Sequence, residues 1–249
     1  MTLKGKVCLI TGGSRGIGAA TALQLAAGGA DVCINARHDD AAAREVRCAI
    51  EKLGRRSHLV VADLRDPAAA LLCVEETGRV LGHPDILVHS AGGPAPGNIL
   101  DITPENWYAA FDVHLHAVFH LCRAALPAMH QKKEGAIVLI SSAAGLRGCP
   151  NSVAYSVVKG ALPQFARSLA RDFAASNVRV NCVAPGVIRT RFQEHLTTEQ
   201  VQNNIENRIP LHREGSPEEV AAIILALIQN DFITGETVTI DGGMTMRIV

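Results

Sequence analysis

Aromatic side chains are scarce in this chain of 249 residues, with six Phe, two Tyr and one Trp. That scarcity argues against a small β-sandwich built on an aromatic core. Excess charge is missing too: 24 basic residues balance 24 acidic ones, so the phosphate backbone of a nucleic acid is not an expected partner. No apolar run approaches the roughly 18 residues of a membrane span; the longest late one covers 221–228. The opening residues carry two lysines but lead into only a short apolar stretch, which does not read as a signal peptide. Seven cysteines are present without any C-x-x-C spacing, and an odd, scattered set argues against a disulfide framework or a zinc site. The expectation is a reduced, cytoplasmic chain.

What is abundant is aliphatic. A chain of this length buries roughly 70–75% of its unfolded surface and needs neither metal nor disulfide for stability. Short apolar runs recur at 7–10, 32–34, 59–61, 86–88, 137–140, 178–183 and 238–240. Between them lie segments of helical character at about 17–27, 41–53, 68–81, 104–130, 153–175 and 217–228. Strands apolar on both faces that alternate with helices predict an α/β doubly wound parallel sheet covered on both sides. Thr103-Pro104 and Ser216-Pro217, the latter followed by Glu218-Glu219, mark helix starts. No repeat, low-complexity tract or linker divides the chain, so residues 1–249 read as one domain. Pro163 falls inside the helix expected at 153–175, where a kink beginning near Lys159 is expected.

After the first strand comes Thr11-Gly12-Gly13-Ser14-Arg15-Gly16-Ile17-Gly18, opening the first helix. Glycines at 12, 16 and 18 permit a tight turn and close approach of backbone to a pyrophosphate. The helix beyond offers unpaired N–H groups and a positive dipole end. At the end of the second strand, Asn35-Ala36-Arg37 lacks the acidic residue that would accept from the ribose 2′-hydroxyl of NAD. Arg37 and Arg15 either converge on the 2′-phosphate of NADP or are simply solvated. Asp63, beyond the third strand, is a candidate acceptor for the adenine amine, with Leu64 beside it, or else a loop aspartate.

Ser142 precedes Tyr155-Ser156-Val157-Val158-Lys159. On a helix Tyr155 and Lys159 lie one turn apart on one face, so the ammonium can stabilise a tyrosinate. A phenol titrates near pH 10, and acid/base work near neutrality asks for about 3 units, roughly 4 kcal/mol, of differential stabilisation.

These motifs, with Ala91-Gly92, Pro185-Gly186, Thr190, Ile233-Thr234-Gly235 and Asp241-Gly242-Gly243, resemble the short-chain dehydrogenase/reductase family over nearly the whole chain. The resemblance is nearest to 3-oxoacyl carrier-protein reductases and related alcohol dehydrogenases. It implies a single Rossmann-like domain with a seven-stranded parallel sheet, an NADP(H) or, less favoured, NAD(H) cofactor, and a homotetramer. It also implies that Ser142 polarises a substrate carbonyl, Tyr155 exchanges the proton, and Lys159 lowers the tyrosine pKa. Pro185, Gly186, Ile188 and Thr190 would face the nicotinamide end. The reading is a ketone/secondary-alcohol oxidoreductase; the alternative is a nucleotide-sensing or structural protein with little turnover.

Two positions depart from the family pattern. His89-Ser90 stands where it has Asn-Asn, and His114 where it has an asparagine that holds a relay water. His114 either holds that water through a ring nitrogen or marks a different relay. His114, His116, His120 and His130 have no H-E-x-x-H or carboxylate partner in sequence, so no metal is expected. Substrate selection is assigned to 191–215 with 93–97 and 143–149; no partner beyond a small ketone or alcohol is implied. Carrier-protein docking is unsupported, since of the two positions where the resemblance implies basic residues Lys133 fits and Ser176 does not.

Overall fold

The computed structural model describes residues 1–246 apart from His195, and only the backbone of Phe192. All seven expected strands form: β1 (Val7–Thr11), β2 (Asp31–Ala36), β3 (Ser57–Val61), β4 (Ile86–His89), β5 (Gly135–Ile140), β6 (Val178–Pro185) and β7 (Thr237–Ile240). They make one parallel sheet in the order β3-β2-β1-β4-β5-β6-β7. Every residue of β1, β2, β4, β5 and β6 is buried, which is why these runs are apolar on both faces; β3 and β7, at the edges, are partly exposed.

Alternate side chains feed two cores. Leu9, Leu87, Ile137 and Leu139 point to the side where helices α3 (Pro67–Val80), α5 (Ala117–Lys132) and α7 (Val153–Phe173) supply Cys73, Leu121 and Leu162. Ile10, Val88, Val138 and Ile140 point to the side of α1 (Gly16–Ala27), α2 (Ala41–Lys52) and α9 (Pro217–Gln229), where Leu25, Ile50 and Ile224 cover them. Sequence order reverses direction between β2-β1 and β4, so a crevice opens above the carboxyl ends of β1 and β4.

The helix starts hold as local chemistry. Asp66 and Thr103 each accept from the first turn they precede, and Ser216 forms a reciprocal capping box with Glu219. One expectation about the helices changes. The segment expected as one helix at 104–130 is α4 (Pro104–Phe111), a π turn (Asp112–His116) in which Ala117 N–H donates five residues back to Asp112, and then α5. Helix α7 runs unbroken through Pro163 and ends in a 3-10 turn, Ala174–Ser176. Two short helices escaped the sequence reading: α6 (Ala143–Leu146), capped by Ser142, and α8 (Thr198–Asn203), which continues into a second π turn, Asn204–Arg208.

Among the described residues the cysteines are unpaired, no group of three or more metal-ligating side chains converges, and no helix is long and apolar enough to cross a membrane.

Candidate active site

The glycine turn at the end of β1 is a cradle with no room for side chains. A Cβ at Gly12, whose φ is +62°, would sit 2.8 Å from the Ala91 backbone, and one at Gly18 would sit 2.3 Å from the Gly12 carbonyl oxygen. A Cβ on Gly16 would meet the Thr190 side chain at 3.1 Å. Thus Ala91, from the loop after β4, and Thr190, from the loop after β6, close on the same turn. Helix α1 opens there with Arg15 at its N-cap, no side-chain cap and no acid in its first turn. Its first N–H groups, flanked by the buried Ser14 and by Ile17, are available to an anion. A dinucleotide pyrophosphate fits this arrangement.

At the end of β2 the two arginines differ. Arg15 is held 2.5 Å from Asp40, the residue that also caps α2. Arg37 is exposed and forms no ion pair among the described residues, although its charge helps hold the Asp63 carboxyl below the usual range. Hydrogen bonding from Arg65, 2.6 Å away, is the larger cause of that lowering. Leu64 beside it is buried.

The end of β5 and helix α7 carry the remaining chemistry. Ser142 Oγ accepts from Ala144 N at 3.1 Å and lies near enough to the Tyr155 hydroxyl to favour its ionised form. Burial raises the Tyr155 pKa, and the Ser142 contact opposes the rise. Lys159 is 5% exposed. Its ammonium donates to the Ile140 carbonyl at 2.7 Å and lies 5.7 Å from the centre of the Tyr155 ring. Burial lowers its pKa to about 8.

Lys159 is gripped by its backbone as well. Pro163 has no N–H, so the helix offers no i+4 donor to the Lys159 carbonyl; Ser141 Oγ donates to that carbonyl instead, at 2.7 Å. Helix α6 lies so close that a Cβ on Gly145 would fall 2.6 Å from the Lys159 carbonyl carbon. Ser141, Pro163 and Gly145 therefore fix the lysine, and the sequence reading gave none of them this role. The available signal was the proline four residues after Lys159.

The two departures from the family pattern lie together. His89 is buried, with Nε2–H donating to the Val113 carbonyl of the π turn at 3.1 Å and Nδ1 accepting from Thr11 Oγ1 at 2.9 Å. Thr11 Oγ1 in turn accepts from the backbone N–H groups of Ser90 and Ala91. Burial, then the Lys159 charge, lowers the His89 pKa to about 3. His114 donates through Nε2 to the Gly93 carbonyl at 3.0 Å, and its buried Nδ1 has no hydrogen-bond partner among the described residues. Its ring meets Tyr155 edge to face, with centroids 5.6 Å apart. A Cβ at Gly92 would collide with it at 2.1 Å. Burial and then the Lys159 charge hold His114 neutral well below its ordinary pKa.

Pro185 ends β6, and Gly186 N–H donates to Ile240 of β7 at 2.9 Å. Ile188 is buried and bridges to Gly215, and Thr190 closes on the glycine turn. The residues singled out from sequence thus gather along the carboxyl edge of the sheet.

The family model described as Enoyl-(Acyl carrier protein) reductase matches residues 12–245. The 3-oxoacyl-[acyl-carrier-protein] reductase of Thermotoga maritima is 36% identical over 251 residues, covering 99% of this chain and 100% of that protein. Versicolorin reductase 1 of Aspergillus parasiticus is 36% identical over 255 residues, with 97% of each chain covered. Among solved structures, L-sorbose reductase of Gluconobacter frateurii, complexed with NADPH and L-sorbose, superposes with a TM-score of 0.92 at 30% identity, with 100% of both chains covered.

Removing the Ser141 hydroxyl strands a buried carbonyl, so Ser141→Ala is expected to cost about 1–3 kcal/mol in urea unfolding. Adding Pro163→Ala restores an N–H to the helix and is expected to return most of that loss. If the double variant loses the sum of the two single effects, the carbonyl does not couple them.

Proposed function

The chain belongs to the short-chain dehydrogenase/reductase family, and on that premise we propose that it interconverts a ketone and a secondary alcohol with NADP(H) in preference to NAD(H). The observation that carries the reading is the gathering of Ser142, Tyr155 and the Lys159 ammonium, which lies 5.7 Å from the centre of the tyrosine ring, on the sheet edge that also bears the glycine turn.

Gly12, Ser14, Arg15, Gly16, Ile17 and Gly18 would hold the pyrophosphate, Ala91 and Gly92 the adjoining wall, and Asp63 and Leu64 the adenine. Pro185, Gly186, Ile188 and Thr190 would flank the nicotinamide, which supplies or takes up a hydride when bound. Ser142 donates a hydrogen bond to the carbonyl oxygen. Tyr155 gives its proton to the same oxygen as the alcohol forms, and takes it back in the oxidative direction. The Lys159 charge favours the tyrosinate, opposing the effect of burial. His114 Nδ1 is the acceptor that would hold a water on the path by which Tyr155 is reprotonated. Arg37 supports the NADP(H) preference, as does the NADPH complex of L-sorbose reductase.

The 3-oxoacyl specificity named for the Thermotoga maritima relative makes 3-oxoacyl compounds a first class to test. Carrier-protein docking draws no support from Ser176, which is buried and bound to His130 at 2.6 Å. A homotetramer is supported by Phe119 on α5 and Val157 on α7, apolar side chains 45% and 43% exposed. A cytoplasmic location accords with the unpaired cysteines.

A panel of ketones assayed by NADPH oxidation tests the activity. Tyr155→Phe is expected to lower kcat by several orders of magnitude while NADPH binding stays within a few fold; substantial residual turnover removes Tyr155 from the acid role.

Arg37→Asp is expected to shift the NADPH-to-NADH ratio of kcat/KM toward NADH by about 2–4 kcal/mol, because a charge-assisted contact is replaced by repulsion. An unchanged ratio removes Arg37 from the 2′-phosphate.

For His114 the neutral imidazole is the working form. Burial, the Lys159 charge and the neighbouring His89 all disfavour its cation, so activity is expected to hold through pH 6.5 and fall only well below it. His114→Asn should abolish that acid limb while keeping most activity. An identical pH profile in this variant assigns the limb elsewhere.

A further inference from the structure

Beside the candidate active site lies a cavity of about 320 Å³ whose wall begins at Ala143 and Ala144, the residues that follow Ser142. Cys149, six residues before Tyr155, also lines it. The cavity therefore opens where the non-reacting part of a carbonyl substrate would extend. Two arginines line it, Arg147 from α6's end and Arg208 from the second π turn, and among the described residues no acidic one does.

The way these arginines are held separates them from their neighbours. In the same region Arg189 pairs with Glu214, Arg191 with Glu194 and Arg213 with Glu219. Arg147 and Arg208 face no carboxylate among the described residues. Arg147 uses only Nε, donating to the Thr245 carbonyl at 3.2 Å. Arg208 donates through Nη1 to Oδ1 of Asn204 at 2.7 Å, and Asn204 is itself 5% exposed. Both guanidiniums are thus positioned by neutral oxygens, which orient them without neutralising their charge. Outward N–H pairs remain on each, in the planar geometry that suits a carboxylate or phosphate.

We propose that Arg147 and Arg208 form an anion subsite, and that the substrate is a ketone, or the matching alcohol, carrying a carboxylate or phosphate group away from the reacting carbon. This deepens the oxidoreductase reading and rests on it for the identity of the reacting group. A single anion bridging both arginines is bound by charge-assisted hydrogen bonds, while a neutral analogue leaves two uncompensated guanidiniums facing its tail.

The test uses matched pairs that differ in charge: 3-oxobutanoate, 4-oxopentanoate and 5-oxohexanoate against their methyl esters, and dihydroxyacetone phosphate against dihydroxyacetone. At least one anion should exceed its neutral partner in kcat/KM by ten- to hundredfold, mainly through KM. The arm that responds tells carboxylate from phosphate. Arg208→Gln and Arg147→Gln should each reduce that ratio at least tenfold, and Arg208→Glu should invert it. Ratios near one in every pair, or ratios indifferent to the arginine substitutions, overturn the proposal. Calorimetric titration of the NADP⁺-saturated protein with the same anions reads the subsite without turnover. Binding that Arg208→Gln abolishes, with no turnover of any pair, supports the subsite and sinks the oxidoreductase reading. Turnover of neutral ketones without anion preference does the reverse.

Discussion

The site is organised around one buried positive charge. The Lys159 ammonium is removed from water and is met by the Ile140 carbonyl, a neutral oxygen, at 2.7 Å. Burial in consequence lowers its pKa from the ordinary lysine range to about 8. The sign of the linkage follows: below pH 8 the lysine is charged in both folded and unfolded chains, and its burial opposes folding in full. Between pH 8 and 10.5 the unfolded chain binds more protons, so this contribution to stability rises with pH. The opposition is on the order of 3 kcal/mol. The hydrogen bond to the Ile140 carbonyl offsets part of it, and the two aliphatic cores on either face of the sheet must offset the rest. A charge kept at such a cost in a cleft is the pattern expected of a working group.

Its neighbours are constrained by it. His89 and His114 stand near an ammonium and away from water, so both are neutral, and their hydrogen bonds settle their tautomers with Nε2 protonated. His89 then joins Thr11 of β1 to Val113 of the π turn, so one imidazole ties the strand that leads into the glycine turn to the segment bearing His114. The glycines follow from the same crowding: Gly92 exists as glycine because the His114 ring occupies the space of its side chain.

The strands were legible because a parallel sheet needs apolar residues on both faces, and runs such as Leu9-Ile10 and Ile137–Ile140 have no other use. The glycine turn and the Tyr155/Lys159 pair were legible because their spacing is the geometry itself. The π turn was hidden: one added residue leaves the apolar pattern from Trp107 to Leu121 compatible with a continuous helix. His89 was visible as an anomaly, but its partner Val113 is 24 residues away and is brought near only by the fold. Arg15 was read together with Arg37, and the sequence did not reveal that Asp40 claims it. Arg147 and Arg208 lie 61 positions apart and meet only across the cavity, so no local pattern joins them.

The π turn also has a reach beyond the crevice. Each residue of an α-helix turns the next by about 100°, so the extra one at Asp112–His116 sets the rotational phase of all of α5. With that phase Leu121 is fully buried and Phe119 stands outward. Deleting one residue from the turn would rotate Phe119 and Leu121 together, moving the outer face of α5 around the helix axis. The bulge that presents His114 to Tyr155 therefore also determines which side of α5 the molecule shows to its surroundings, and the two cannot drift independently by insertion or deletion.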